Sequence, residues 1–456
     1  MLPVMTTNDC SASEEFAHSM PNLMPGWVDP CDFQSMVKLR RDIHANPEPG
    51  WGEFRATAQM AERLGELGFA LHFGPEFINP QYVRGRNPAE AARERTAAAE
   101  AGVTPVFLAR MGDYPGLVAV WDTGRAGKTL AIRVELDALY LEEPKGDAHI
   151  PAREGFSSRR LGLMHACGHD GHQAVAWALA RFIAANAERL AGRVVFIFQP
   201  AEEGSRGAYP ILKSGILDGV DILLCAHLGL SVDLGTVVAA PDKFLCTTKI
   251  DFEFVGKPSH AGMQPQVGRN ALLAAANSAV NIMGLPRHGD GMTRVNVGSL
   301  HAGEGRNVIP SHATMEVEVR GENASINQAL AAEAIQRAEG MSAAFGVELK
   351  KRIVGEAIDY VPDDYVTQLI TICARRARGC DRVVPTLPYN GSDDGTLLIR
   401  RVQEQGGRAG YFVVGAALSG SSPETACDFD ERAMLTLYDT YAQLIMAFLG
   451  NWHELN

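Results

Sequence analysis

The chain has no excess of positive charge. Its 456 residues carry 42 Lys and Arg against 54 Asp and Glu, a formal net charge of −12. Non-specific nucleic-acid binding needs a basic face, so that class is excluded. A local cationic pocket for an acidic small molecule is not. Cysteine is sparse as well. The eight, Cys10, Cys31, Cys167, Cys225, Cys246, Cys373, Cys380 and Cys427, follow no repeated spacing. That pattern argues against a disulfide framework and for a reducing compartment. No apolar run approaches the roughly 18 residues that a spanning helix needs. The start, MLPVMTTNDCSASEEF, lacks a basic segment followed by an apolar one and does not read as a signal peptide. These absences predict a cytoplasmic protein without membrane contact, with a flexible stretch at 1–24. Histidine is the last scarcity. There are 13, and from Ala313 onward only His453.

What is present is globular. Hydrophobic residues make up 46% and charged residues 21%. The length exceeds one ordinary core, so more than one domain is expected. Apolar runs at 116–123, 128–139, 192–200 and 221–230 read as buried strands, and 171–190 reads as a helix between the second and third. This is the texture of a mostly parallel sheet flanked by helices, an α/β fold. After residue 240 the strands alternate apolar and polar residues, as in TTKIDFEFVG and ATMEVEVRG, with helical stretches at 268–283 and 325–346. That is an α+β unit. The α/β texture returns after about 357, with a last strand at 408–415. The expected organisation is therefore a large domain in two parts, 25–241 and 357–456, with an α+β domain inserted at 242–356. Residues 88–111, rich in Ala, Arg and Glu, read as a solvated helical insertion.

One stretch concentrates chemistry. LMHACGHDGHQAV, 163–175, holds three histidines, a cysteine and an aspartate. Further acidic and imidazole groups fall just after the predicted strands: Asp137, the pair Glu202 and Glu203 in QPAEEG, and His227. The carboxyl ends of parallel strands form one edge of a sheet, where ligands bind. Thiolate, imidazole and carboxylate together suit zinc or a similar divalent ion. A helix N-terminus lowers the pKa of a thiol such as Cys167, and the glycine before His169 allows a tight turn. Neighbouring side chains in an extended segment point opposite ways. One of the two glutamates can then bind metal while the other shuttles protons, or both simply favour a helix start. His165 and His172 are either ligands, supports of ligands or capping groups.

The ordered motifs RRDIHANPEPGWGE, RVELDAL, HACGHDGH, QPAEEG, GKPSHAGMQPQVGRNA, GRNVIPSHATMEVEVRG and NGSDDGT span roughly 34–445 with the flanking elements. Together they resemble the metallo-amidohydrolase and carboxypeptidase family of aminoacylase, hippurate hydrolase and the auxin-conjugate hydrolases. The insertion at 88–111, GSDDGT and DFDE are most similar to its aminobenzoyl-glutamate hydrolase branch. The resemblance implies a catalytic domain binding one or two divalent ions, zinc or manganese, and an inserted dimerisation or lid domain. It implies Cys167 as a bridging ligand, His169, Glu203 and His227 as terminal ligands, and Glu202 as general base and acid. Asp137 would orient the site from behind. His260 would reach across a dimer to the oxyanion, and Asn307 and Arg320 would bind the substrate carboxylate.

The family's last histidine ligand, expected before DFDE, is missing. Ser421 and Ser422 stand in its region, with Glu424 and Cys427 as the nearby groups able to ligate. The expectation is a metal-dependent amidohydrolase acting on N-acyl or N-aroyl amino acids, most closely glutamate or aspartate conjugates. It would form a homodimer or higher oligomer, a further partner being a paralogous subunit. The alternatives are a dipeptidase and a weakly active or non-catalytic metal-binding subunit.

Overall fold

A computed structural model describes residues 33–229, 231–417 and 428–450. The expected flexible start at 1–24 lies outside these residues, as do Ser421, Ser422, Glu424 and Cys427. Among the described residues there are two sheets. The larger contains β1 (Ala70–Phe73), β2 (Leu117–Asp122), β3 (Thr129–Glu135), β4 (Arg193–Gln199), β5 (Ile222–Leu228), β6 (Thr236–Val238), β11 (Arg382–Val384) and β12 (Arg408–Val414). Its spatial order is β1-β2-β4-β3-β5-β12-β6-β11. The central run β4-β3-β5-β12 is parallel. Antiparallel pairings join β1 to β2, β2 to β4 and β12 to β6.

Every residue of β3 and β5 is buried, because helices cover both faces. On one face Leu130, Ile132, Val134, Phe196 and Phe198 pack against α1 (Phe33–Ala45), α2 (Phe54–Glu66), α5 (His169–Ala185), α8 (Asp364–Ala374) and α10 (Ala433–Leu449). On the other, Ala131, Ile197, Leu223 and Val413 meet Leu398 and Val402 of α9 (Gly395–Glu404). The alternation follows from the two-residue period of a strand.

The second sheet is antiparallel, in the order β10-β7-β9-β8, from β7 (Cys246–Val255), β8 (Thr293–Ala302), β9 (His312–Gly321) and β10 (Glu348–Ala357). Ile250, Phe252 and Phe254 point to a separate core with α6 (Ala271–Met283) and α7 (Ala324–Phe345). The alternate residues Thr247, Lys249 and Asp251 take the opposite face. Lys249 pairs across the strands with Glu318, and Thr247 with Arg320.

Two differences from the sequence reading have clear causes. Strand β10 begins ELKKR, in which Leu349 alone is apolar and packs on the core. It is an edge strand, where charge is the usual guard against further pairing. The insertion at 88–111 forms two helices, α3 (Pro88–Glu100) and α4 (Pro105–Met111), separated at Gly102 with φ +95°. It is not simply solvated. Ala91, Ala98 and Met111 are buried, and Glu94 takes a two-pronged ion pair from Arg160 at 2.7 Å in each arm.

The first turn of α5 is clamped from α1. Arg40 is fully buried, donates to Asp170 at 2.8 Å, and also pairs with Asp428 and, at 3.2 Å, with Glu431. Its guanidinium lies 4.4 Å from the Phe429 ring centre. Despite burial, Arg40 and His44 hold the Asp170 carboxyl well below its usual range. Removing one member of such a buried cluster leaves uncompensated charge. Arg40→Ala should therefore lower stability by about 3–5 kcal/mol, read as a shift of the urea unfolding midpoint. A change below about 1 kcal/mol would show that the clamp is not a structural element.

Candidate metal centre

The site is assembled at the carboxyl ends of β3, β4 and β5. Just past β3, Asp137 is buried and accepts the amide N–H of Glu202 at 3.2 Å and of Glu203 at 2.9 Å. Its backbone carbonyl lies 2.9 Å from Nδ1 of His169. A carbonyl only accepts, so Nδ1 carries a proton; despite burial, Cys167 and Asp137 hold the ring's proton affinity well above the ordinary imidazole value, and Nε2 offers a free lone pair once a bound cation displaces its proton. His227, on β5, is fixed likewise, with Nδ1 at 2.7 Å from the carbonyl of Leu228. Its Nε2 lies 3.3 Å from Sγ of Cys167. Burial above all pushes the His227 ring down to about 3, so it is neutral, the form that binds metal.

The residues preceding α5 bring the thiol in. Gly168 caps the helix at φ +83°, a left-handed conformation that only glycine adopts freely. The helix start does not ionise Cys167. Burial, followed by the charge of Glu203, pushes its thiol up to about 12. Deprotonation there requires a stronger positive charge than a helix end, such as a bound cation.

Glu202 and Glu203 do not lie in an extended segment or at a helix start. They sit in a turn in which Ser205 N–H bonds the Glu202 carbonyl at 2.7 Å and Gly207 N–H bonds the Ala201 carbonyl at 2.8 Å. Ala201 and Ser205 have φ of +53° and +59°, strained values for side-chain-bearing residues. The strain is compensated by Glu53, which accepts the Ala201 N–H at 2.6 Å. The turn sends both carboxylates the same way. Ligand atoms of His169, Glu202 and Glu203 lie within 4.8 Å of one another, and so do those of Cys167, His169 and His227.

Two observations show that these residues fit a divalent cation. His169 Nε2 and Glu203 Oε1 are both buried without a hydrogen-bond partner among the described residues. Buried polar atoms are otherwise almost always satisfied. The donor set of thiol, two imidazoles and carboxylate is also that of a zinc-type site. His172, by contrast, has no lone pair to give. Its Nδ1 lies 2.7 Å from Glu135, and its Nε2 accepts the Leu228 N–H at 2.9 Å. It supports His227 through Leu228 instead. His165 is buried, and desolvation pushes its ring down to about 3.

A cavity of about 290 Å³ opens above these groups, lined by Cys167, Glu202, Glu203 and His227 on one side. Thr247, Lys249, Glu318 and Arg320 of the smaller sheet form the other side, and Tyr389 and Ser392 complete it. Arg320 is thus brought to the site, paired with Glu318 at 3.0 and 3.1 Å. His260 and Asn307 are not among the residues lining it. His260 is exposed, with Nδ1 accepting N–H groups of Gly262 and Met263 at 3.2 and 3.1 Å. Asn307 is its exposed neighbour, its carbonyl accepting the Ala261 N–H at 2.9 Å.

Sequence reading missed the layer beneath Glu202. Arg133 on β3 is wholly buried and pairs with Glu135, with Asp393 at 3.1 Å and with Asp394 at 3.2 Å. Gln199 donates to Asp394 at 2.7 Å, and the Tyr411 hydroxyl donates to Asp393 at 2.8 Å. Burial, then the charges of Asp393, Glu203 and Asp394, holds the Glu202 carboxyl well above its usual range. The available signal was an arginine and a glutamate inside an otherwise apolar strand, facing two adjacent aspartates in GSDDGT.

The pattern defining Peptidase family M20/M25/M40 matches residues 131–447. The chain is 44% identical to a Haemophilus influenzae homolog of one p-aminobenzoyl-glutamate hydrolase subunit, over 92% of this chain and 99% of that protein. It is 40% identical to the indole-3-acetyl-aspartic acid hydrolase of Enterobacter agglomerans, over 91% of this chain and 95% of the other. The solved structure of an aminobenzoyl-glutamate utilization protein from Klebsiella pneumoniae superposes with a TM-score of 0.78 at 35% identity, covering 95% of this chain and 97% of that one.

Cys167→Ala should sharply lower the metal retained per chain after dialysis, measured by elemental analysis, with the circular dichroism spectrum unchanged. Unchanged metal content would remove Cys167 from the ligand set.

Proposed function

The chain belongs to Peptidase family M20/M25/M40, and from that premise we propose a metal-dependent amidohydrolase that releases glutamate or aspartate from N-acyl or N-aroyl conjugates. The observation that carries this reading is the pair of ligand atoms, His169 Nε2 and Glu203 Oε1, that have no hydrogen-bond partner among the described residues, beside the buried carboxyl of Glu202. The protein hydrolyses amide bonds and uses a divalent cation. Cys167, His169, Glu203 and His227 would hold one or two ions, zinc or manganese. The chemistry such an ion supplies when bound is Lewis-acid activation of water and of the amide carbonyl.

The remaining steps belong to the chain. Glu202 takes a proton from the attacking water and delivers it to the amide nitrogen as the C–N bond breaks. Its raised proton affinity, maintained by burial and by Asp393 and Asp394, suits both halves of that transfer. Asp137 holds the two glutamate amides and His169 in register. Arg320 receives the carboxylate of the leaving amino acid. His260 and Asn307 act from a second copy of the chain, which is why a homodimer belongs to this reading. In it residues 242–356 form the lid.

The absence of histidine between Ala313 and His453 favours a second reading, in which the chain is a weakly active or non-catalytic subunit completed by a paralogous partner. The Haemophilus relative is named after one subunit of a hydrolase, which points the same way. Hydrolysis of a panel of acyl-glutamates, acyl-aspartates and dipeptides by the metal-loaded chain separates the readings. The wild type should turn over the acidic conjugates. Glu202→Gln should lose about 10²–10⁴-fold in kcat with its metal content intact. Equal turnover by the variant would contradict the role of Glu202, and no turnover by the isolated wild type would favour the subunit reading.

A further inference from the structure

The turn that carries Glu202 and Glu203 is held from two sides. On one side Glu53 accepts its Ala201 N–H. On the other it meets the end of β10, a strand of the smaller sheet. There the Glu356 N–H donates to the Ser205 carbonyl at 2.8 Å, and the Ser205 N–H donates in turn to the Glu202 carbonyl at 2.7 Å. A β-carbon on Gly355 would lie 2.1 Å from the Gly204 carbonyl oxygen, so only glycine allows this approach. A bulge brings the strand in. Its pairing with β7 shifts register between Ile353 and Gly355, and a bulge bends the strand that carries it. Past the bulge, Gly355 and Ala357 pair with Lys249 and Thr247, which line the cavity.

The end of β10 is itself anchored. Glu356 and Arg84 form an ion pair at 2.7 Å. The Arg84 guanidinium lies 3.7 Å from the Tyr209 ring centre, and the Arg84 carbonyl accepts the Trp51 indole N–H at 2.8 Å. The next carbonyl, of Gly85, takes Arg206 at 3.1 Å, and Arg206 also donates to the Glu203 carbonyl at 2.8 Å. These contacts close a ring that runs from Glu356 through Ser205, Arg206 and residues 84–85 back to Glu356.

We propose that Gly355, Glu356 and Arg84 are positioning residues: the end of β10 braces the turn that carries Glu202 and Glu203, and the Arg84–Glu356 pair keeps that brace in place. The inference rests on the amidohydrolase reading and makes its proton carrier and one metal ligand depend on the smaller sheet. Ser205 is strained, at φ +59°, and such a residue keeps its conformation only where its surroundings over-determine it. Its carbonyl is fixed by β10, and its N–H is committed to Glu202. A displaced strand end therefore moves Ser205, and Ser205 moves Glu202. The three residues act through the backbone of the turn.

The test uses the zinc-loaded full chain and the variants Gly355→Ala, Arg84→Ala and Arg84→Lys. Ile353→Ala, at an exposed position on the same strand, is the control. Three quantities are read: kcat and KM for an N-acyl-glutamate, and zinc affinity by competition with a chelator. Gly355→Ala should lower kcat by about 10–100-fold and weaken zinc binding, as loss of a support behind a ligand does, with KM nearly unchanged. Arg84→Ala should move kcat and zinc binding the same way. Arg84→Lys, which keeps a charge opposite Glu356, should restore most of that loss, and Ile353→Ala should match the wild type. A wild-type kcat in Gly355→Ala, a loss confined to KM, or an equal loss in Ile353→Ala would overturn the role of the strand end. Equal losses in Arg84→Ala and Arg84→Lys would overturn that of the ion pair. Should Gly355→Ala fail to fold, the two Arg84 variants decide. Should the wild type hydrolyse no conjugate, the amidohydrolase reading has failed, and zinc affinity decides the brace alone. Weaker binding in Gly355→Ala than in Ile353→Ala then supports it and equal binding rejects it.

Discussion

The hydrogen bonds of Asp137 hold three separate pieces of chain in one geometry. Its carboxylate takes two adjacent amides of the turn after β4, and its carbonyl takes the ring of His169 at the start of α5. Without them the turn, already strained at Ala201 and Ser205, would have little to fix Glu202 and Glu203 relative to His169. A buried carboxylate accepting backbone N–H groups stays ionised because those donors replace its water. The Asp137 carboxyl is held below its usual range despite its burial, chiefly by the hydrogen bond and charge of His169, then by Arg206 and the Glu203 amide. The clamp of Arg40 on Asp170 acts on the same helix from its other side.

The second constraint is electrostatic. Glu135, Glu202, Asp393 and Asp394 crowd around the buried cation Arg133. One guanidinium does not neutralise four carboxylates, and burial adds to the effect, so proton affinity rises in Asp394, to about 7, and in Glu202, at the cavity. The smaller sheet supplies the opposing surface through its polar face, on which Lys249 and Arg320 share the carboxylate of Glu318.

Much of this was legible in the sequence. Long apolar runs gave β2, β4, β5 and β12 to within a residue or two, since burial on both faces leaves little polar interruption, while the run read at 128–139 passed the end of β3 by four residues. Alternation gave β7 and β9 for the same reason with one face buried. The short strands β1, β6 and β11 carry too few residues for a period to show. At the site, residue type and position after strands picked out Cys167, His169, Glu202, Glu203 and His227. What sequence could not supply was the direction of the carboxylates, which depends on a turn, or the ionisation of the thiol, where burial outweighs the helix end. The Arg133 layer was hidden because its members are 260 positions apart along the chain.

The central claim is that the cation is held by atoms the fold leaves otherwise unsatisfied. The most direct measurement is a crystal structure of the metal-loaded chain with anomalous scattering recorded at the metal's absorption edge. The peak should fall within bonding distance of His169 Nε2, Glu203 Oε1 and Cys167 Sγ or His227 Nε2. A peak instead among Glu202, Asp393 and Asp394, the other buried group of carboxylates close enough to hold an ion, would contradict it.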